Sequence, residues 1–148
     1  MNRNQTSLIV GILMLGLAGV VVAGGTDHPA KISAGDIDGE IFKRPSMIEL
    51  EENGNITQDV TTFLSSDKKF GSGMYTSGKI RYEATEPWGV DEFMYFLEGS
   101  VTLTSTDGTV QVISAGESVT IPKEWTGVWE TDGYKKIWVI YSEDGSGL

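Results

Sequence analysis

The chain has 148 residues, a length that suits one domain, and its 21 acidic and 11 basic residues give a formal net charge of −10. This excess of negative charge repels nucleic-acid phosphates and anionic membrane surfaces, so we expect neither as a partner. The chain contains no cysteine, which excludes disulfides and thiolate chemistry.

The first residues have the composition of a secretory signal peptide. Arg3 precedes an uncharged, mostly apolar run that extends from Leu8 to Ala23, and small residues stand just before Gly24. This pattern predicts cleavage after Ala23 and a secreted or periplasmic protein that has no membrane attachment once residues 1–23 are removed. The alternative is a retained membrane anchor, since the run is near the lower length limit of a spanning helix.

Residues 24–64 come before the part of the chain that has a clear strand pattern. Residues 24–46 show no periodicity and are predicted to form a tether or loop. Residues 47–64 have scattered apolar positions around a turn sequence, which predicts one or two short strands or a short helix packed on the outside. The single histidine, His28, lies in the leading stretch and is predicted to be a surface residue.

From residue 70 onward, short runs of strand-forming residues alternate with turn signals. Several runs alternate apolar and polar residues, as half-buried antiparallel strands require, and none has a helical period. The predicted strands are residues 73–76, 79–83, 92–97, 101–104, 109–112, 118–121 and 136–141. Many short antiparallel strands at even spacing indicate an all-β sandwich or barrel.

Two short motifs lie within this β region. Glu92 and Gly99 are separated by six residues, and Gly116 and Pro122 by five. With this spacing the chain resembles the cupin superfamily, and the order of its motifs is similar to that of small cupins related to ureidoglycine aminohydrolase and the ethanolamine-utilisation Q proteins. The resemblance implies a double-stranded β-helix, or jelly-roll barrel, over residues 65–148, with residues 24–64 as an N-terminal extension.

The resemblance also implies a metal site whose ligands this chain lacks. In cupins, three histidines and the motif glutamate converge on one divalent metal, and of these only Glu92 is retained here. The histidine slots fall on Gly127 and either on Glu86 and Trp88 or on Thr85 and Pro87. Imidazole is the usual neutral ligand of such ions, so we expect neither a tightly bound metal nor another cofactor.

The barrel interior is predicted to hold an aromatic-lined pocket around Glu92. Alternation along the strand puts Glu92, Met94 and Phe96 on one face, which the resemblance places inside. With no cation nearby, burial should favour the neutral form of Glu92, which suits a general acid or base. The alternative is that the tryptophans only fill the core. The predicted pocket residues are Tyr82, Glu86, Trp88, Glu92, Met94, Phe96, Trp125 and Trp129.

Three functions are compatible with these residues. The first, which the missing histidines favour, is a metal-free module that binds a small polar metabolite. The second is a hydrolase, lyase or isomerase in which Glu92 transfers protons, assisted by Glu86 or Tyr82. The third is a structural dimerisation module. We also expect a homodimer, because the strands carry more large apolar residues than one small barrel needs. The candidate contact residues are Phe93, Tyr95, Leu97 and Trp138.

Overall fold

The computed structural model describes residues 28–148, so the predicted signal peptide at residues 1–23 lies outside the described part. The fold is all-β, as predicted, and all its strand pairs are antiparallel. The elements are helix α1 (Ala34–Ile37), a 3-10 helix (Glu40–Lys43), and strands β1 (Ile48–Glu52), β2 (Asn55–Leu64), β3 (Phe70–Ser77), β4 (Ile80–Ala84), β5 (Asp91–Ser105), β6 (Val110–Ser114), β7 (Ser118–Ile121) and β8 (Gly127–Tyr141). None of the helices within residues 28–148 is long and apolar enough to cross a membrane.

Two long strands, β5 and β8, organise the fold by pairing with each other along most of their length. The first half of β5 pairs with β7 and the second half with β6. In the same way, β8 pairs first with β4 and then with β3, which continues to β2 and β1. One buried cluster contains residues from both halves of β5 and β8, so the two halves of the sheet pack against each other as in a jelly roll.

The two halves meet at a pair of glycines on the long strands. Register shifts between Phe96 and Glu98 and between Ser100 and Thr102 mark bulges, which bend a strand. Gly99 has φ 70°, and a Cβ there would overlap the carbonyl oxygen of Gly133. The closing glycine of the first motif is therefore needed for the close approach of the two backbones.

Two glycines of β3 leave space for the buried ring of Trp138, because they have no side chains. Gly73 lies opposite Trp138 and Gly71 opposite Ile140 on the inner face. A Cβ on Gly73 would come within 2.5 Å of the Trp138 ring. The indole therefore lies across the β3 backbone, and its Nε1 donates a hydrogen bond to Asp59 Oδ1 on β2 at 3.0 Å.

The segment before the first strand packs on the outer face of the sheet. Ser33 caps α1, because its hydroxyl accepts the Asp36 N–H at 3.1 Å and the Asp36 carboxylate accepts the Ser33 N–H at 2.8 Å. The 3-10 helix then buries Ile41 completely against Val60 and Met74. The prediction of a tether over residues 24–46 is therefore wrong from Ser33 onward. The two strands that follow were among the predicted alternatives for residues 47–64, and they extend the same sheet.

Candidate functional site

A buried ion pair lies at the centre of the barrel. Glu92 is completely buried and Lys136 is 4% exposed, with Lys136 Nζ 2.6 Å from Glu92 Oε1. The indole Nε1 of Trp88 donates to the other carboxylate oxygen, Glu92 Oε2, at 3.1 Å. Lys136 Nζ also lies 3.0 Å from the Met94 sulfur. Both oxygens of the carboxylate are therefore engaged, one by a charged donor and one by a neutral donor.

The position of Lys136 follows from the register of β8. Lys136 lies opposite Phe96 on β5 and opposite Tyr75 on β3, and it shares a face with Trp138 and Ile140. The expectation that no cation stands near Glu92 is therefore wrong. The alternation of Lys136 with Trp138 and Ile140 was the sequence signal for an inward lysine.

Three aromatic rings surround the buried ammonium. Lys136 Nζ lies 5.4 Å from the ring centre of Tyr75, 5.7 Å from that of Trp129 and 5.8 Å from that of Tyr134. At these distances the negative face of an aromatic ring attracts a cation. Burial raises the pKa of Tyr134 well above its usual value, so its phenol stays neutral. The three rings thus surround the ammonium of the ion pair with neutral, polarisable groups.

Trp88 reaches the ion pair from a loop that is tied to the opposite loop. The backbone N–H of Trp88 donates to the carbonyl of Trp125 at 2.9 Å, and the N–H of Gly89 donates to that of Lys123 at 2.8 Å. The Trp88 ring stacks on Trp129 at 5.7 Å with an interplanar angle of 8°. These contacts fix the indole so that its N–H points at Glu92.

The structure brings most of the predicted pocket residues to one place. Met94 and Phe96 are fully buried on the Glu92 face, as strand alternation predicted. Glu86, however, is exposed in the loop between β4 and β5, and it is not among the residues of the buried cluster. The remaining predicted aromatic residues all belong to or pack against the same buried cluster: Tyr82, Trp88, Trp125 and Trp129.

Asp59 is a second inner-face carboxylate that the sequence analysis missed. It lies opposite Tyr75, which in turn lies opposite Lys136, so the three residues form one row across β2, β3 and β8. Burial raises the pKa of the Asp59 carboxyl to about 6, and the hydrogen bond from Trp138 only partly offsets that effect. The polar residues around Asp59 on β2 hide the strand alternation, which is why the sequence did not indicate an inward side chain.

The residues present do not fit the divalent metal that the resemblance to cupins implies. The group nearest to Glu92 is the Lys136 ammonium, which has no lone pair to donate and already neutralises the carboxylate. The histidine slots carry no imidazole, and residues 28–148 contain no cluster of three or more His, Asp or Glu side chains that could hold a metal ion.

Comparisons with a protein-family model and with solved structures support the cupin fold. The profile of the EutQ-like cupin domain matches residues 71–136, which is less than half of the chain. The EutQ protein of Clostridium difficile is 23% identical over 64% of this chain and 69% of its own, with a TM-score of 0.53. Ectoine synthase from P. lautus is 13% identical over 69% of this chain and 72% of its own, with a TM-score of 0.54.

A protein of unknown function from Pseudomonas syringae has a TM-score of 0.58 at 14% identity, over 64% of this chain. The chain spans only 43% of that protein's length. None of the curated proteins matches this sequence significantly. At these identities the solved structures show a shared fold alone, so the kinship with ureidoglycine aminohydrolase stays a prediction. The chain has a cupin fold, with an EutQ-like cupin domain matched over residues 71–136.

Proposed function

We propose that the protein binds a small polar metabolite inside the barrel without a metal. The observation that carries this proposal is the buried Glu92–Lys136 pair within a shell of aromatic side chains. A few fixed polar groups in an otherwise apolar and aromatic interior are typical of small-molecule sites. Charges taken out of water also act on a ligand more strongly than they would at the surface.

The engagement of Glu92 supports binding over proton transfer by this residue. Glu92 is completely buried, and Lys136 and Trp88 each donate to a different one of its carboxylate oxygens, so a substrate has no open approach to this carboxylate. A general base must have an oxygen within hydrogen-bond reach of the proton that it removes. The geometry therefore favours a role in which Glu92 holds the side chains of Lys136 and Trp88 in place.

A thermal-shift screen of small metabolites tests the proposed function. The screen is run in parallel in chelator-treated and metal-supplemented buffer, on the wild-type protein and on Glu92→Gln. We expect compounds that raise the melting temperature equally in both buffers, with a smaller shift for the variant. A screen whose hits all require added metal would contradict the proposal. So would hits that stabilise the variant as much as the wild type.

We also propose that the protein forms a homodimer through the outer face of β5. Phe93 and Tyr95 are 41% and 39% exposed there, and Phe63 lies in the same row across the sheet as Phe93. Adjacent exposed apolar residues of this kind are typical of interfaces. Trp138 cannot take part, contrary to the sequence prediction, because its register with Met94 places it on the inner face, where it is 3% exposed. Leu97 packs partly against the cluster beneath the N-terminal segment.

Light scattering at micromolar concentration tests the dimer. We expect a dimer for the wild type, a monomer for Phe93→Glu, and a dimer for Val112→Glu, which places the same charge at an exposed valine of β6. A wild-type protein that is monomeric throughout this range would refute the dimer and leave the ligand site untouched.

Export of the protein remains a proposal that rests on the sequence of residues 1–23. The intact mass of the protein from its native host tests it. We expect a chain that begins at Gly24. A mass that includes residues 1–23 would instead favour a retained anchor.

A further inference from the structure

Asp59 is a carboxylate of the barrel that the ion pair does not neutralise directly. Its Oδ1 accepts the Trp138 indole N–H at 3.0 Å, and no lysine or arginine of residues 28–148 forms an ion pair with it. The nearest buried cation, Lys136, is held by Glu92 at 2.6 Å. Burying an ionised carboxylate without a direct counter-ion is costly. A cation bound next to Asp59 would therefore stabilise its ionised form.

The net charge of the inner face also favours a cationic ligand. Glu92 and Asp59 supply two negative charges when ionised, and Lys136 supplies one positive charge. The Asp59 pKa of about 6 means that this carboxyl is mostly ionised at pH 7 and above. The interior then carries one net negative charge, which an anionic ligand would increase and a monovalent cation would cancel.

Asp59 is also the more accessible of the two carboxylates. Asp59 and Tyr75 are only partly buried, whereas Glu92 is completely buried. Beyond Asp59 the same face of the sheet continues to Ile48 and Leu50 on β1, which are 36% and 47% exposed. Asp59 therefore lies between the buried ion pair and the exposed apolar side chains of β1.

We infer that this side of the barrel is a binding site for a small organic cation, of the amine, amidine or guanidine class, with Asp59 as its counter-ion. The aromatic ring of Tyr75 and the exposed apolar side chains of β1 would contact the uncharged part of the ligand. The inference rests on the proposed binding function, which it deepens by naming the class of ligand and a residue, Asp59, outside the predicted pocket.

Three isosteric probes separate charge from shape. Acetamidinium, acetamide and acetate have the same planar skeleton and differ mainly in charge, and each is titrated at constant ionic strength. The readout is the indole N–H resonance of Trp138, the group that hydrogen-bonds to Asp59, assigned with Trp138→Phe. We expect acetamidinium to bind the wild type at least about tenfold more tightly than acetamide, since a charge-assisted hydrogen bond is worth about 1.5 kcal/mol or more.

Asp59→Asn should abolish that preference, because the amide oxygen keeps the bond to Trp138 while the charge is lost. The matched control, Asp107→Asn, removes the same charge from an exposed turn and should leave the preference unchanged.

Lowering the pH through about 6 should weaken acetamidinium binding to the wild type, as Asp59 takes up a proton. The charged or titratable groups that face Asp59 are Tyr75, Tyr134, Lys136 and Glu92.

Equal affinity for acetamidinium and acetamide would overturn the inference, as would a preference that survives in Asp59→Asn. Either result would leave the proposed function standing if the metabolite screen gives metal-independent ligands that need Glu92. A failure of acetamidinium to bind would also overturn the inference. The proposed function itself fails only when the metabolite screen gives no such ligand.

Discussion

The inner and outer faces of the sheet bury chemically different groups. The inner face encloses the Glu92–Lys136 pair among aromatic rings, while the outer face buries Ile41, Val60 and Met74, which carry no charge. Apolar burial stabilises a fold directly, but a buried ion pair must first recover the cost of removing two charges from water. The outer cluster is therefore expected to contribute more to stability than the inner charge pair, which is consistent with the proposed binding role of the pair.

The largest expected effect comes from removing one partner of the inner pair. Lys136→Met leaves Glu92 buried without a counter-ion, so we expect it to lower the free energy of unfolding by about 3–5 kcal/mol. The double variant Glu92→Gln, Lys136→Met should recover most of that loss, because neither charge remains. Urea denaturation is applied to the wild type, to Lys136→Met and Glu92→Gln, and to the double variant. Lys79→Met, which breaks an exposed pair with Asp132, is the control and should have little effect.

If the double variant loses as much stability as the sum of the two single variants, the pair is structural and the contrast between the two faces fails. If Lys136→Met alone is as stable as the wild type, the result would contradict a buried ion pair between Glu92 and Lys136.

The next largest effect is expected on the outer face. Ile41→Ala removes a fully buried side chain that packs on Val60 and Met74, and should cost about 3 kcal/mol in the free energy of unfolding. The control is Ile48→Ala on β1, where the side chain is 36% exposed and the cost should be much smaller. Equal effects of the two substitutions would show that the segment before β1 does not pack on the sheet.

Asp59 should make the stability of the inner face depend on pH. Its pKa of about 6 in the folded state is above the ordinary value, so the folded protein holds the proton more tightly than the unfolded chain. Relative to Asp59→Asn, the wild type should therefore lose roughly 1–3 kcal/mol of stability as the pH rises from about 4 to about 6. Urea denaturation at several pH values measures this difference. Parallel pH profiles for the two proteins would mean that Asp59 is solvated.

The smallest effect is expected at the cap of α1. Ser33→Ala removes the acceptor for the Asp36 N–H and should lower the free energy of unfolding by about 1 kcal/mol. Ser66→Ala, at an exposed position between β2 and β3, serves as the control. A loss as large as that of Ile41→Ala would mean that the cap orders the whole segment and that the two contributions are not separate.

The sequence predicted the all-β class and the inward face of β5, because alternation and turn signals are local properties. It could not show that residues 92–97 and 101–104 belong to one strand, since the bend at Gly99 depends on the approach of Gly133. Lys136 and Asp59 were missed for other reasons. Charged residues are usually exposed. For Lys136 that expectation outweighed its alternation with Trp138 and Ile140, and for Asp59 the polar neighbours on β2 hid the alternation. The cap Ser33-x-x-Asp36, by contrast, is a local sequence signal for the start of α1.

The most direct test of the central claim is elemental analysis of the protein, purified without chelator or metal-affinity resin and then dialysed. In this account the Lys136 ammonium is the cation that neutralises Glu92 inside the barrel. We predict a content of Mn, Fe, Ni and Zn well below one equivalent, and no change in melting temperature when a chelator is added. A full equivalent of any of these metals surviving dialysis, with the melting temperature falling on chelation, would contradict the account.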